Sequence, residues 1–481
     1  MTVHNLIENN GNQACCGCTA CKTVCPKQCI TMAEDAEGFL YPKVDASLCI
    51  DCQACVRVCP FHNPSKEEKP QSVYAALNKN EEIRRDSSSG GVFTILAEKV
   101  IKDGGVVFGA RFTDDWQVEI VPTETIEGLA AFRGSKYLQA QMGSSLALAK
   151  KYLQEGRKVL FSGTPCQIAG LRHYLRKDYD NLLAVDFVCH GVPSPKVWKM
   201  YLDEVSEAGQ RAISDIKFRD KPQGWKRFNF TLSYNESDKS YTISSYNGDN
   251  HYMRAFLSDM ILRPSCYNCQ AKCGRSKSDI TIADYWGIDQ VHPNMDDDMG
   301  PSLVIVHTEK GRQALDFSQT TYTESTYEDA FRFNPAIEKS ATAHPKRADF
   351  FNKLDSTKDL LKLIDKELRP STKQRIKKFY HRCRHKAKIV LLHLLGGGNL
   401  KKEETSYQSE KPGEIPITDS KMNVKAISFR DKDNGWKKYL MKITLTVWGL
   451  GETNKHTYGS LFRKELQNSL NSSSVLPLIN L

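Results

Sequence analysis

The sequence predicts an α+β chain: a small cysteine-rich segment, a larger body in which strands and helices alternate, and a basic C-terminal third that ends in a degenerate repeat. Three observations lead there. Two copies of one cysteine spacing occupy residues 15–59 of a chain that carries 16 cysteines. From residue 72 onward strand-like and helix-like stretches follow one another, as in α/β and α+β bodies. The run Phe-Arg-Asp-Lys-x-x-Gly-Trp-Lys occurs twice, from Phe218 and again from Phe429. A length of 481 residues exceeds what one core organises. The expected divisions are 1–65, then 71–155 and 156–345 as two parts of the body, 346–403 as a basic helical segment, and 404–481 as a linker with a second copy of the 213–265 element. With 40% apolar and 26% charged residues the composition is that of a globular protein.

The cysteine spacing carries the first chemistry. Cys15, Cys18, Cys21 and Cys25-Pro26 fit C-x2-C-x2-C-x3-C-P, and Cys49, Cys52, Cys55 and Cys59-Pro60 fit it again 34 positions later. Three closely spaced thiolates wrap one part of a 4Fe-4S cube, and the fourth must come from elsewhere. In two-cluster ferredoxins it crosses from the other copy. The expected sets are therefore Cys15, Cys18, Cys21 and Cys59 for one cluster, and Cys49, Cys52, Cys55 and Cys25 for the other. A zinc pair would not account for the repeated fourth cysteine before proline. Cys16 and Cys29 lie outside the pattern and read as small core residues. No C-x3-C-x2-C occurs, which argues against a radical S-adenosylmethionine enzyme.

In the body, residues 63–70 are polar and flanked by prolines, as linkers are. Strands are expected over 72–77 and 105–110 with a helix over 92–101 between them. Ser87-Ser88-Ser89-Gly90-Gly91 precedes that helix, where small residues let backbone N–H groups approach a phosphate. A strand over 158–162, a turn at Gly163-Thr164-Pro165 and a helix beginning at Cys166 put that cysteine in the positive field of a helix terminus, as a metal ligand or a nucleophile. A further strand over 182–188 ends on Cys189-His190-Gly191. Cys266 and Cys269 form a C-x2-C pair with Cys273 close behind. Two strand-end cysteines and one pair supply four thiolates, which suit a third cluster or zinc equally on spacing.

The ordered set Ser88-Ser89-Gly90-Gly91-Val92-Phe93, Arg133-Gly134-Ser135-Lys136-Tyr137, Gly163-Thr164-Pro165-Cys166-Gln167, Cys189-His190-Gly191, Phe218-Arg219-Asp220-Lys221, Cys266-x2-Cys269 and the run from Ser278 to Gly287 resembles the beta subunit of coenzyme F420 hydrogenase/dehydrogenase. It is most similar to the bacterial members with an N-terminal ferredoxin domain, over roughly residues 12–310. The resemblance implies an oxidoreductase and flavoprotein in which FAD stands beside a 4Fe-4S cluster held by Cys166, Cys189, Cys266 and Cys269, with Cys273 spare or a substitute for Cys166. It makes Ser87, Ser88, Ser89, Gly90, Gly91 and Lys136 candidate FAD contacts. Lys136, facing flavin or a substrate anion, and His190, as proton donor or as a hydrogen-bonded structural residue, are the catalytic candidates. Asp284 is read as a turn cap or a flavin neighbour. Flavin exchanges hydrides for single electrons and clusters move single electrons, so together they link a soluble carrier to an enclosed redox site. The expected partners are ferredoxin or a carrier reduced by a nucleotide, and a small-molecule or sugar acceptor; no nucleic acid is expected. The bacterial group resembles enzymes of cell-surface polysaccharide pathways, so a nucleotide- or lipid-linked sugar is a candidate acceptor. An electron-transfer adaptor without its own substrate pocket is the rival reading.

The formal charge of +10 is concentrated in residues 369–402, where eight basic residues from Lys373 to Lys388 precede an apolar stretch at 389–395. This pattern fits a helix lying on an anionic membrane surface or a solvated helix on the body. No apolar run is long enough to span a bilayer, and the first residues lack the order of a secretory signal, so the expected location is the cytoplasm, with peripheral membrane contact through this helix.

Overall fold

The computed structural model describes residues 2–236 and 239–369, and the strands Met422–Arg430 and Lys437–Leu445. The chain forms two compact units, Met1–Tyr380 and His381–Leu481. The basic stretch after Arg369, its apolar continuation and the linker before residue 422 lie outside the described residues.

Within the first unit, residues 12–63 form the cysteine-rich lobe. Strands β1 (Ile30–Glu34) and β2 (Leu40–Val44) pair antiparallel, and short helices Ala20–Val24 and Ala54–Arg57 follow the middle cysteines of the two copies. The sequence duplication is also a backbone duplication. Gly17 and Asp51, 34 positions apart, both adopt positive φ (74° and 48°), as do Thr19 and Gln53 (61° and 58°). Left-handed residues on either side of Cys18 and of Cys52 turn each loop inward, a conformation that costs a non-glycine residue energy and persists where the surroundings enforce it.

The body is built on an eight-stranded sheet of β3 (Ser72–Asn78), β4 (Val106–Phe112), β5 (Val118–Thr123), β6 (Val159–Gly163), β7 (Leu182–Phe187), β11 (Ile280–Asp284), β12 (Ser302–Val306) and β13 (Thr320–Ser325), in the order β13-β3-β12-β11-β7-β6-β4-β5. The central strands β4, β6, β7 and β11 are parallel, and the strands outside them antiparallel. Continuous apolar runs such as Leu182-Leu183-Ala184-Val185, all buried, are what a parallel strand covered on both faces requires. The expected strands over 72–77, 105–110, 158–162 and 182–188 and the helix over 92–101 are all present, shifted by a residue or two. Residues 63–70 lack regular structure but are held to the body by Arg275–Glu67 and Lys277–Glu68 ion pairs and by the Glu68 N–H to Cys273 carbonyl bond.

Between β7 and β11 the chain leaves the sheet to form a three-stranded antiparallel sheet of β8 (Ala212–Asp220), β9 (Asn229–Glu236) and β10 (Lys239–Tyr246). Its apolar face closes over an aromatic core of Trp198, Tyr201, Phe218, Phe230 and Tyr252. The outgoing and returning ends of this excursion are zipped together: Ser194 N–H bonds the Ile261 carbonyl at 3.0 Å, and Arg263 N–H the Val192 carbonyl at 2.9 Å. In the second unit β14 (Met422–Arg430) and β15 (Lys437–Leu445) pair antiparallel. The repeated Phe-Arg lies at the end of β8 in the first copy and of β14 in the second, and each of these strands pairs antiparallel with the strand that follows it.

Candidate functional site

The crossed cysteine sets expected from the spacing are gathered by the lobe. Burial raises the Cys21 thiol far above its ordinary range, and Cys18, Cys15 and Cys59 are the neighbours that push it further. Cys25, Cys49, Cys52 and Cys55 line one concavity together with Cys29. The two sets differ in depth, since Cys18 and Cys21 are buried whereas Cys52 is exposed and stands beside exposed Leu48 and Ile50. The first set is inner and the second outer. Among the described residues no three His, Cys, Asp or Glu side chains converge on one metal ion. In a 4Fe-4S cube each thiolate binds its own iron, so its ligands need not converge on a point. Cys16 and Cys29 are buried, as expected of core residues, but both touch the sets: Cys29 Sγ lies 3.4 Å from Cys25 Sγ.

In the body, the carboxyl ends of the adjacent parallel strands β6 and β7 deliver Cys166 and Cys189. In open α/β sheets this edge is where ligands bind. The helix Pro165–Leu175 starts on a reciprocal capping box between Thr164 and Gln167, with proline in its first turn. Thr164 Oγ1 is 3.2 Å from Cys166 Sγ. A hydrogen bond from Cys16, partly opposed by burial, holds the Cys166 thiol down at about 7. Cys189 is pushed well above its usual range by burial and by the charges of Cys266, Cys166 and Cys269, its near neighbours. Val192 N–H donates to Cys266 Sγ at 3.4 Å. Buried Lys272 adds a cation at this group, donating to the Cys189 carbonyl at 2.7 Å. Cys273 stands apart, its Sγ 3.8 Å from the Glu338 carbonyl, and its strongest neighbours include no other cysteine.

The two thiol groups adjoin. A Cβ added at Gly170 would stand 2.7 Å from Cys18 Cβ and 2.8 Å from Cys18 Sγ, so the helix that begins at Cys166 packs directly on the inner set. Only glycine permits that approach.

A further group of residues joins four of the quoted motifs. Arg219 donates to both carboxylate oxygens of Asp284 (3.1 and 2.8 Å), to the Ser88 carbonyl (3.3 Å) and to Tyr137 Oη (3.4 Å). Trp225 Nε1 reaches the same carboxylate at 2.7 Å, and Trp225 stacks on Trp286 with centroids 4.3 Å apart. Asp284 thus anchors an ion pair with a buried arginine, a partner the sequence reading did not name. Arg219 Nε is buried without a hydrogen-bond partner, the kind of donor that a bound anion satisfies. The Ser87 to Gly91 loop lies alongside, and its hydroxyls are engaged within the protein: Ser87 with the Ile83 carbonyl, Ser88 with Ser135, Ser89 with Ser302. Gly90 is pressed against Ala76 and Ser302, where a Cβ would stand 2.3 Å from the Ala76 carbonyl oxygen. Lys136 Nζ donates to the Arg133 carbonyl at 3.0 Å, and burial lowers its pKa to about 8. His190 Nε2 lies 2.6 Å from Asp259 Oδ1, its ring edge-on to Phe256. A carboxylate this close to the ring suits a structural histidine and a proton donor alike.

The fold and these thiols define an iron-sulfur electron-transfer protein with an α/β oxidoreductase body. A 4Fe-4S dicluster domain matches residues 14–63, the N-terminal domain of the coenzyme F420 hydrogenase/dehydrogenase beta subunit matches 73–147, and the C-terminal domain of that subunit matches 156–329. The chain belongs to the coenzyme F420 hydrogenase/dehydrogenase beta subunit family. Among solved structures it is similar to the F420-reducing nickel-iron hydrogenase complex from Methanosarcina barkeri, at 16% identity and a TM-score of 0.37, over 63% of this chain and 91% of that one. No curated protein matches it.

Sequence reasoning missed Arg263, Gly170 and the contact between Cys16 and Cys166. Each acts across more than 100 positions, and no local spacing announces it. The Arg219–Asp284 pair had a signal in its two motifs, but nothing in either motif named the other as partner.

Proposed function

We propose that the chain is a flavin-dependent oxidoreductase in which the outer and inner ferredoxin clusters, a third cluster on Cys166, Cys189, Cys266 and Cys269, and an FAD in the body form one path for electrons. The observation that carries the reading is the packing of Cys18 on Gly170, which puts an inner ligand against the helix that presents Cys166. When bound, the flavin supplies the exchange between a hydride and two single electrons, which the clusters alone cannot perform. Within this chain, Arg219 Nε and Lys136 supply positive charge for the flavin phosphates or a substrate anion. The Ser88–Ser135 and Ser89–Ser302 contacts fix the loop beside them. His190, oriented by Asp259, is the nearest group to donate a proton. The buried thiols and the aromatic core exclude water around the path.

The outer set, with exposed Cys52, faces a soluble one-electron carrier such as ferredoxin. The acceptor at the body is a small molecule, with a nucleotide- or lipid-linked sugar as the leading class. Among the described residues no helix is long and apolar enough to cross a membrane, and the basic segment after Arg369 is the part that would meet a bilayer.

Purification without oxygen and release of the bound flavin test the reading. It expects one FAD per chain, reduced when the clusters are reduced. A chain with a full complement of iron and no flavin would instead be an adaptor relaying electrons to a separate enzyme.

A further inference from the structure

Arg263 is the only fully buried arginine at the meeting of the two thiol groups among the described residues, with 0% of its surface exposed. Its guanidinium is spread over four acceptors: Nε donates to the Cys15 carbonyl (2.8 Å), Nη1 to Gln139 Oε1 (3.0 Å), and Nη2 to the Leu40 carbonyl (3.0 Å) and to Cys15 Sγ (3.7 Å). Its face lies 4.2 Å from the Tyr41 ring centroid and 5.4 Å from that of Phe39. None of its hydrogen-bond acceptors among the described residues is a carboxylate. A guanidinium cannot shed its proton at ordinary pH, and a buried charge without a counter-charge is strongly unfavourable. Neutral thiols and carbonyls do not balance it. Thiolates do, and Cys15 belongs to the inner set while Cys266 follows Arg263 by three positions, its N–H bonded to the Arg263 carbonyl at 2.9 Å. Gly17 completes the fit, since a Cβ there would stand 3.1 Å from Nη1.

We infer that Arg263 is the fixed counter-ion of the inner thiolate set and raises the reduction potential of the centre those thiolates hold above that of the outer one, so that electrons collect on the side facing the body. The physical basis is general: net charge and hydrogen bonds to the sulfurs set the potential of an iron-sulfur centre. The outer concavity has no comparable buried cation among its lining residues, and Lys27 there is exposed. Arg263 acts through Cys15, and is a positioning residue. The inference rests on the ligand assignment proposed above.

The test is a potentiometric titration of the full chain, purified without oxygen and with its iron counted, following the reduced centres by electron paramagnetic resonance. Arg263→Gln is expected to shift the one-electron equilibrium of one ferredoxin centre about tenfold toward the oxidised form, about 59 mV, and to leave the outer centre unmoved. Arg263→Lys, which keeps the charge, is expected to stay within about threefold of the wild type. Gln139→Glu places a carboxylate on the guanidinium without removing it. It is expected to shift the same centre in the same direction, and it decides the matter if the Arg263→Gln chain fails to fold. Full iron with both potentials unmoved in Gln139→Glu would overturn the inference while leaving the ligand assignment intact, as would an Arg263→Lys shift as large as that of Arg263→Gln. Wild-type iron below about eight atoms per chain would overturn the ligand assignment and the inference with it.

Discussion

The cysteine-rich lobe and the body assemble groups of four thiols by opposite routes. In the lobe every member lies within residues 15–59, and two copies of one backbone loop, left-handed at matching positions, present them. In the body the four come from the ends of two parallel strands and from a short turn at Pro264–Asn268, reached only after a whole antiparallel sheet has been traversed. The excursion returns to its point of departure because its two ends hydrogen-bond, which brings Cys266 under Val192. A local motif carries its own geometry, whereas a dispersed site borrows geometry from the fold and inherits the fold's sensitivity to distant changes. The body should therefore yield most to substitutions far from its cysteines.

The largest such effect is expected at Arg219. Its side chain is 4% exposed and pairs with Asp284, 65 positions away. Arg219→Leu strands that carboxylate, and removal of one partner of a buried pair destabilises by about 3–5 kcal/mol. The unfolding midpoint of the anaerobic protein should fall accordingly, and the fluorescence of Trp225 and Trp286 should change in the native state. An unchanged midpoint would mean that the pair is not structural.

Gly170 probes the border between the two regions. Gly170→Ala pushes a methyl group into Cys18, and overpacking of this kind costs about 1–3 kcal/mol. Because Cys18 belongs to the lobe, the account expects the loss of iron to fall on the inner ferredoxin centre, with the outer one retained. Equal loss from both, or none, would separate the regions that the packing joins.

The smallest effect concerns Lys136, whose pKa burial lowers to about 8. Below that pH it is charged and above it neutral, so a contact with an anionic ligand weakens as pH rises through about 8. FAD affinity should then fall between about pH 7 and pH 9 in the wild type and be flat in Lys136→Gln. A slope that survives the substitution would assign the titration to another group.

What was legible in the sequence follows the same division. The ferredoxin cysteines could be read from spacing, because three of them within seven positions constrain one another regardless of the rest of the chain. The central strands could be read from apolar runs, and the helix at Cys166 from Thr164-Pro165. The body's four thiols could be collected from strand ends and a C-x2-C pair, but the preference for a cluster over zinc came only through a family resemblance. The antiparallel edges of the large sheet and the β8–β10 sheet went unforeseen: strands such as Ala212–Asp220 alternate exposed and buried residues and take their partners from the fold. Asp284 shows what a motif leaves out when a partner is remote: its bonds to Arg219 and Trp225 join residues 65 and 59 positions away, which no local pattern names.

The central claim, that the dispersed thiols of the body hold a cluster continuous with those of the lobe, is tested most directly by counting metal in the full chain purified without oxygen, beside the variant Cys266→Ser with Cys269→Ser. The account predicts about twelve iron atoms per wild-type chain and about eight in the variant, with the signals of both ferredoxin centres preserved. Eight iron atoms in both proteins, with one zinc in the wild type lost on substitution, would contradict it.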